Sequence, residues 1–98
     1  MKDCNRIEIV VEEALVRRMT ECLEEAGADG YTLIPRASGR GDRGPRRGDD
    51  PTGFSTNCVF IVACDDEAAT QRIVDAVRPL LSRSGGICLV SAARWVKH

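Results

Sequence analysis

Two glycine-rich turns are the segments best suited to chemistry, and that chemistry would be anion binding. Gly39, Arg40 and Gly41 form a Gly-x-Gly turn at the end of a predicted strand. Glycines allow backbone N–H groups to approach an oxyanion closely, and the arginine adds a planar fork of donors. A second turn of small residues, at residues 83–86, precedes the last predicted strand. In a split βαβ sheet the two turns can flank one cleft, within a chain or across a subunit boundary.

The first turn opens a long arm at residues 38–55. It holds five of the nine glycines and two of the four prolines, and its four arginines and three aspartates leave it at 4 − 3 = +1. Loops longer than about 12–15 residues in compact domains are usually functional or disordered. The arm is therefore either a solvated linker or a mobile recognition arm whose root binds an anion. We favour the second interpretation, and we expect residues 42–52 to be mobile without ligand.

Catalytic and metal-binding sets are not apparent. The single histidine is His98, so no nucleophile–histidine set can be assembled without it. Asp49 and Asp50 are adjacent on the arm, which does not hold two carboxylates at a fixed separation. Cys58 and Cys64, the closest pair among the five cysteines, have the wrong spacing for a zinc site. We therefore expect no enzyme, no metal and no required cofactor, with free thiols that pack in the core.

Upstream of the arm, the apolar pattern predicts a strand, a helix and a second strand. Apolar residues alternate at positions 7–11, a period of two that is typical of a strand. A helix is expected from Glu12 or Glu13, where acidic side chains favour an N-terminus, to the stop at Gly27. The second strand is expected over residues 30–37.

Downstream of the arm, the order is strand, helix, strand. Residues 56–64 (TNCVFIVAC) are continuously apolar and rich in β-branched residues, which favours a strand. Asp65 or Asp66 can cap the next helix, in which Pro79 predicts a kink or a loose last turn. The last strand is expected at residues 87–90, and Trp95 and Val96 either continue it or leave it.

This order predicts one α+β domain over residues 1–98, a ferredoxin-like split βαβ sandwich (βαββαβ). Two helices would cover one face of its sheet and leave the other face bare. A bare apolar face is a liability for so small a domain, and homo-oligomerisation is the simple remedy.

Composition narrows the function classes. The net charge is -1, from 14 basic and 15 acidic residues, which argues against a strongly basic nucleic-acid module. The apolar runs are too short for a membrane span, and the N-terminal residues do not form a signal peptide. The expectation is a cytoplasmic protein without membrane insertion.

Three stretches together resemble the PII signalling superfamily, and more narrowly the PII-like proteins associated with carboxysomes and bicarbonate uptake. Residues 30–33 (GYTL) resemble the Gly-x-Thr-Val of the family's second strand. Gly39, Arg40 and Gly41 resemble the Gly-x-Gly at the root of its long T-loop. Residues 85–94 resemble its B-loop and final strand. The resemblance spans essentially the whole chain in order and spacing.

The resemblance implies a ferredoxin-like trimer that binds adenine nucleotides between neighbouring subunits, with a T-loop at about 38–55 and a B-loop at about 83–86. The T-loop would engage a partner protein, either a bicarbonate transporter or a carboxysome-related protein. The nucleotide-binding residues it implies are Thr32, Ser38, Gly39, Arg40, Gly41, Gly85, Gly86 and Ile87. Bicarbonate is carried over as a second ligand, with Arg36, Arg40 and Lys97 as candidate donors.

The chain departs from the family's pattern at several points. The segment from Thr32 to Gly39 is one residue longer. Gly86 replaces the lysine after the B-loop glycine, and Lys97 alone replaces the pair of arginines near the C-terminus. Fewer cations favour fewer phosphates, so ADP or AMP is expected over ATP. Gln71 is the only glutamine and lies outside the arm, so sensing of 2-oxoglutarate is not expected.

Two other functions share this strand–helix order. An RNA-recognition module would need exposed aromatics on its sheet, and aromatic residues are only 4% of the chain. A ferredoxin-like metal-binding domain would need a Cys-x-x-Cys or a His/Cys cluster. Both are kept as alternatives to the PII-like interpretation.

Overall fold

The computed structural model describes residues 1–41, 44–46 and 56–98. The strands are β1 (Lys2–Glu12), β2 (Thr32–Ala37), β3 (Gly39–Gly41), β4 (Gly44–Arg46), β5 (Asn57–Cys64) and β6 (Ile87–Trp95). The helices are α1 (Val16–Glu25), which follows a 3₁₀ turn at Glu13–Leu15, and α2 (Glu67–Ser84). Neither described helix is long and apolar enough to cross a bilayer.

Four strands form one antiparallel sheet in the order β2-β5-β1-β6, and β3 and β4 form a separate short hairpin. This confirms the predicted βαββαβ sandwich. The predicted second strand begins two residues late, at Thr32. The last strand continues beyond residues 87–90 to Trp95, and Val96 lies outside it, because β6 pairs with β1 from Ile87↔Val10 to Trp95↔Lys2.

The core lies between the helices and one face of the sheet. The period of two predicted for β1 is confirmed, since its alternate apolar residues are fully buried. Phe60, the largest of the fully buried side chains, comes from β5 and contacts Tyr31 with ring centroids 5.4 Å apart. The main core residues are Ile7, Ile9, Val11, Met19, Leu23, Phe60, Val62, Ile73, Val77 and Leu80.

The start of the first helix differs from the prediction. Glu12 still has extended backbone angles, and the N–H of Glu13 donates to the carbonyl of Thr56 at 2.7 Å. Because this bond extends the strand pairing, the chain passes through the 3₁₀ turn before the α-helix begins at Val16. The predicted stop is confirmed, since Gly27 has a φ of 82° and Ala28 donates back to the Leu23 carbonyl at 3.0 Å.

The second helix has the expected cap and contains Pro79 in its interior. The Oδ1 of Asp66 accepts a hydrogen bond from the N–H of Ala69 at 2.8 Å, which settles the choice between Asp65 and Asp66. The helix continues through Pro79 to Ser84, so the proline does not end it. The carbonyl that loses its partner there belongs to Asp75, an exposed residue, so water can satisfy it.

The side of the sheet away from the helices, here called the open face, has no covering layer among the described residues. By the alternation of the strands it carries the even-numbered residues of β1 and the odd-numbered residues of β5 and β6. Ile34, Ile87 and Leu89 are 44%, 46% and 57% exposed there. The structure thus shows the bare apolar face that the sequence predicts.

Candidate functional site

The root of the arm lies at one end of the sheet. Ala37 is the last residue of β2 and pairs with Asn57, which in turn pairs with Glu12 at the end of β1. Ser38 follows, and the chain then enters the β3–β4 hairpin, in which Arg40 pairs with Pro45. The predicted Gly-x-Gly turn is therefore one strand of a short hairpin. The remainder of the predicted mobile segment, residues 42–43 and 47–52, lies outside the described residues.

A β-bulge precedes the root. The pairing of β2 with β5 shifts between Ile34 and Ala37, so that the chain holds one residue more there than its partner strand. Arg36 has a φ of 58°, a left-handed conformation that non-glycine residues seldom adopt. Pro35, which has no N–H to donate, is well suited to a bulge. The bulge thus accommodates one additional residue of β2, and both Ile34 and Ala37 keep their partners on β5.

The second predicted turn lies at the start of β6. Gly85 ends α2 with a φ of 78° and donates its N–H to the Leu81 carbonyl at 2.8 Å. Gly86 has a φ of 127°, and a Cβ built on it would lie 2.7 Å from the Val10 carbonyl oxygen and 2.9 Å from Leu81 Cδ2. Both glycines are therefore required by the fold, independently of any ligand.

The two turns lie at the same end of the sheet but at opposite edges. β5 and β1 separate the β2 edge from the β6 edge, which places the turns about 14 Å apart by the usual strand spacing. Thr32 pairs with Ile61, at the level of Glu8, so it lies about 13 Å along the strand from Ala37 at the arm root. Within one copy, the described parts of the predicted nucleotide-binding set therefore lie apart on the sheet.

A cavity of about 480 Å³ lies at the other end of the sheet, where β1 begins and β6 ends. The indole N–H of Trp95 donates to Asp65 Oδ1 at 3.2 Å, and Lys2 Nζ lies 3.7 Å from the same oxygen. The lining residues are Lys2, Asp65, Trp95, Val96, Lys97 and His98. Lys2 balances the charge of Asp65, and Lys97 adds a second lysine to the lining.

Of the predicted site residues, the cavity contains Lys97 alone. Lys2, the other lysine of the cavity, was not predicted as a site residue, because only its pairing with Trp95 brings the N-terminal segment to the end of β6. A pairing register of this kind leaves no local motif in the sequence.

The cysteines and the sheet aromatics bear on the alternative functions. Burial raises the pKa of the Cys64 thiol, although a hydrogen bond with Thr70 opposes this, and burial also raises the pKa of the Cys88 thiol. Among the described residues, no group of three or more His, Cys, Asp or Glu side chains could hold a metal ion. Phe60 is fully buried on the helix side of β5, so it cannot stack on a base as the RNA-binding interpretation requires.

Comparisons with known proteins give one consistent result. Residues 4–97 match the family model described as Nitrogen regulatory protein P-II. The fold is similar to that of CPII, a nitrogen regulatory PII-like protein from Thiomonas intermedia K12 bound to ADP, AMP and bicarbonate, with a TM-score of 0.81 and 22% identity over 98% of this chain and 96% of that one. The apo form of CPII gives a TM-score of 0.76 and 22% identity over 95% and 91%. GlnK of B. subtilis in complex with ATP gives 0.62 and 13% identity over 95% and 84%.

Proposed function

The chain belongs to the nitrogen regulatory protein P-II family, and on this premise we propose that it is a PII-like signalling protein that senses adenine nucleotides. ADP and AMP are the favoured ligands, ATP is a weaker one, and bicarbonate is a second ligand. Binding changes the arm at residues 38–55, which then engages or releases a partner protein. The partner is a bicarbonate transporter or a carboxysome-related protein, so the readout is inorganic-carbon uptake or fixation.

The observation that carries the proposal is the separation of the candidate residues on the sheet. The arm root and Lys97 lie at opposite ends, and the two glycine turns lie at opposite edges. An adenine nucleotide is too short to reach from the arm root to Lys97 in one copy, because these lie about the length of β1 apart. The site is therefore built between copies, with the arm end of one copy facing the Lys97 end of the next.

A homotrimer assembled through the open face provides such contacts between copies. β5 is apolar on both faces, a pattern typical of strands that are covered on both sides. The chain's two helices cover one side only. Copies of the chain cover the other side.

In this site the backbone of residues 39–41 and 85–87 approaches the phosphates, with Ser38 beside them and Thr32 at the adenine. Arg36, Arg40 and Lys97 supply positive charge to phosphate and bicarbonate. Gly86 cannot supply it, because even a Cβ there would collide with the Val10 carbonyl. This missing cation supports the preference for ADP and AMP.

The proposal is tested first by calorimetry of the purified protein against ATP, ADP, AMP and cyclic AMP, each with and without bicarbonate. We expect ADP and AMP to bind more tightly than ATP, and bicarbonate to change the affinity for at least one of them. Binding of no adenylate would overturn the proposed function.

The composite site is tested by mixing two variants. Arg40→Ala and Lys97→Ala should each weaken nucleotide binding and leave the oligomer intact. If the two residues come from different copies, random mixed oligomers regain about a quarter of the sites, because a site needs an intact arm from one copy and an intact Lys97 from the next. Mixtures that bind no better than the separate variants would contradict a site between copies.

A further inference from the structure

The open face carries a pair of opposite charges at its centre. Arg6 and Glu8 lie on β1, one of the two inner strands, and Arg6 Nε is 2.8 Å from Glu8 Oε1. Glu8 pairs with Ile61 on one side and Leu89 on the other. The ion pairs Lys2–Asp65, Arg17–Glu21 and Asp75–Arg78, by contrast, lie on helix surfaces or at the end of the sheet. A charged pair inside an apolar patch therefore distinguishes this face.

We propose that the Arg6–Glu8 pair determines how copies of this chain pack on one another through the open face. This rests on the proposed function, which requires the copies to assemble. A second copy suits the face because the pair has no net charge: each copy offers one cation and one anion beside the same apolar residues. The surface is thus complementary to itself in charge and in polarity.

The pair contributes little to an isolated copy. The side chains of Arg6 and Glu8 are 47% and 35% exposed, and exposed ion pairs are weak because water screens both charges. When a second copy covers the face, that water is removed. Each charge then depends on its partner, and removal of only one leaves an uncompensated buried charge.

Register selection follows from this dependence. An apolar face alone allows copies to slide or to add in several arrangements. A buried charged pair permits only those arrangements in which both groups keep their hydrogen-bonding partners, as buried polar groups do in some other assemblies. We therefore infer that the pair lowers the strength of assembly and restricts it to one size of oligomer.

The experiment compares Arg6→Met, Glu8→Leu and the double variant by sedimentation equilibrium and native mass spectrometry. Each single variant should raise the dissociation constant about 100-fold, because it buries one unpaired charge. The double variant should associate as tightly as the unmodified chain or up to about tenfold more tightly, but as a mixture of oligomer sizes. Circular dichroism should show the same fold in all three.

The matched control is the Arg17–Glu21 pair on α1, which lies on the opposite side of the molecule with side chains that are 92% and 59% exposed. Arg17→Met and Glu21→Leu, singly and together, should leave the dissociation constant unchanged. Single open-face variants that assemble like the unmodified chain would overturn the inference, and so would a double variant that forms one oligomer size only. Failure of the unmodified chain to bind adenylates would instead overturn the proposed function.

Discussion

The two faces of the sheet are built from the same strands but differ in how far their side chains are buried. Phe60 and Ile61 are neighbours on β5, yet Phe60 is fully buried under the helices and Ile61 is only partly covered. Val62 and Ala63 repeat the contrast one step further along. The helix side is thus covered within one chain, whereas none of the residues that the structure describes forms a layer over the open face. The difference teaches that alternate residues of one strand have different surroundings: those on the helix side stabilise the chain, and those on the open face are left exposed, where the proposed assembly would use them.

The largest expected effect lies on the helix side. Phe60→Ala should lower the free energy of unfolding by about 4 kcal/mol, since it opens a large cavity in a filled core. Urea denaturation of the dissociated protein measures this change. The matched control is Ile61→Ala, the next residue on the same strand, which should cost much less in one copy. Equal costs would mean that the two faces do not differ as described.

A second variant tests the joint between the helix layer and β6. Gly86→Ala should cost about 3 kcal/mol, because the added Cβ meets the Val10 carbonyl at 2.7 Å and the φ of 127° strains an alanine. Gly30→Ala is the control, since no atom lies within 4 Å of a Cβ placed there. Thermal denaturation should separate the two variants clearly. A Gly86→Ala protein as stable as Gly30→Ala would remove the structural reason for this glycine.

The open face is tested by a charge placed on β6. Leu89→Asp should leave the fold intact and raise the dissociation constant of the oligomer about 100-fold or more, because assembly would bury an unpaired carboxylate. Val90→Asp is the matched control, since Val90 is 48% exposed but lies on the helix side of the strand. Analytical ultracentrifugation of both variants decides the matter. Equal dissociation constants for the two variants would show that assembly does not use the open face.

The smallest effect concerns two thiols on the helix side. Burial raises the pKa of Cys64 and of Cys88, so folding favours their protonated form. Their contribution to stability is therefore complete below the ordinary thiol pKa and is lost as the pH rises through the raised values. A Cys64→Ala, Cys88→Ala double variant should show a shallower loss of stability in alkaline urea titrations. An identical slope would show that these thiols are not linked to folding.

Local patterns predicted much of the fold. The alternation at Ile7, Ile9 and Val11 gave β1, and the Asp66 cap and the stop at Gly27 follow from short-range hydrogen bonding. The start of α1 was wrong because Glu13 is held by Thr56, a residue 43 positions away. The pairing of Lys2 with Trp95, which creates the cavity, is equally non-local.

The candidate site shows the same division. The glycines at 39, 41, 85 and 86 were found from their spacing and from the family resemblance. Neither source predicted that they lie at opposite edges of the sheet, because that depends on the strand order. The sequence also did not show that Gly86 is required by packing against Val10, since this close approach joins two distant segments.

The bulge at Pro35 and Arg36 separates the length of the chain from the alignment of the sheet. One residue is added, yet Ile34 and Ala37 both keep partners on β5. Insertions and deletions at this point can therefore lengthen or shorten the approach to the arm without repacking the core beneath it. In evolution, such a position would allow the arm to change its length and direction toward new partners while the sheet and core stay the same.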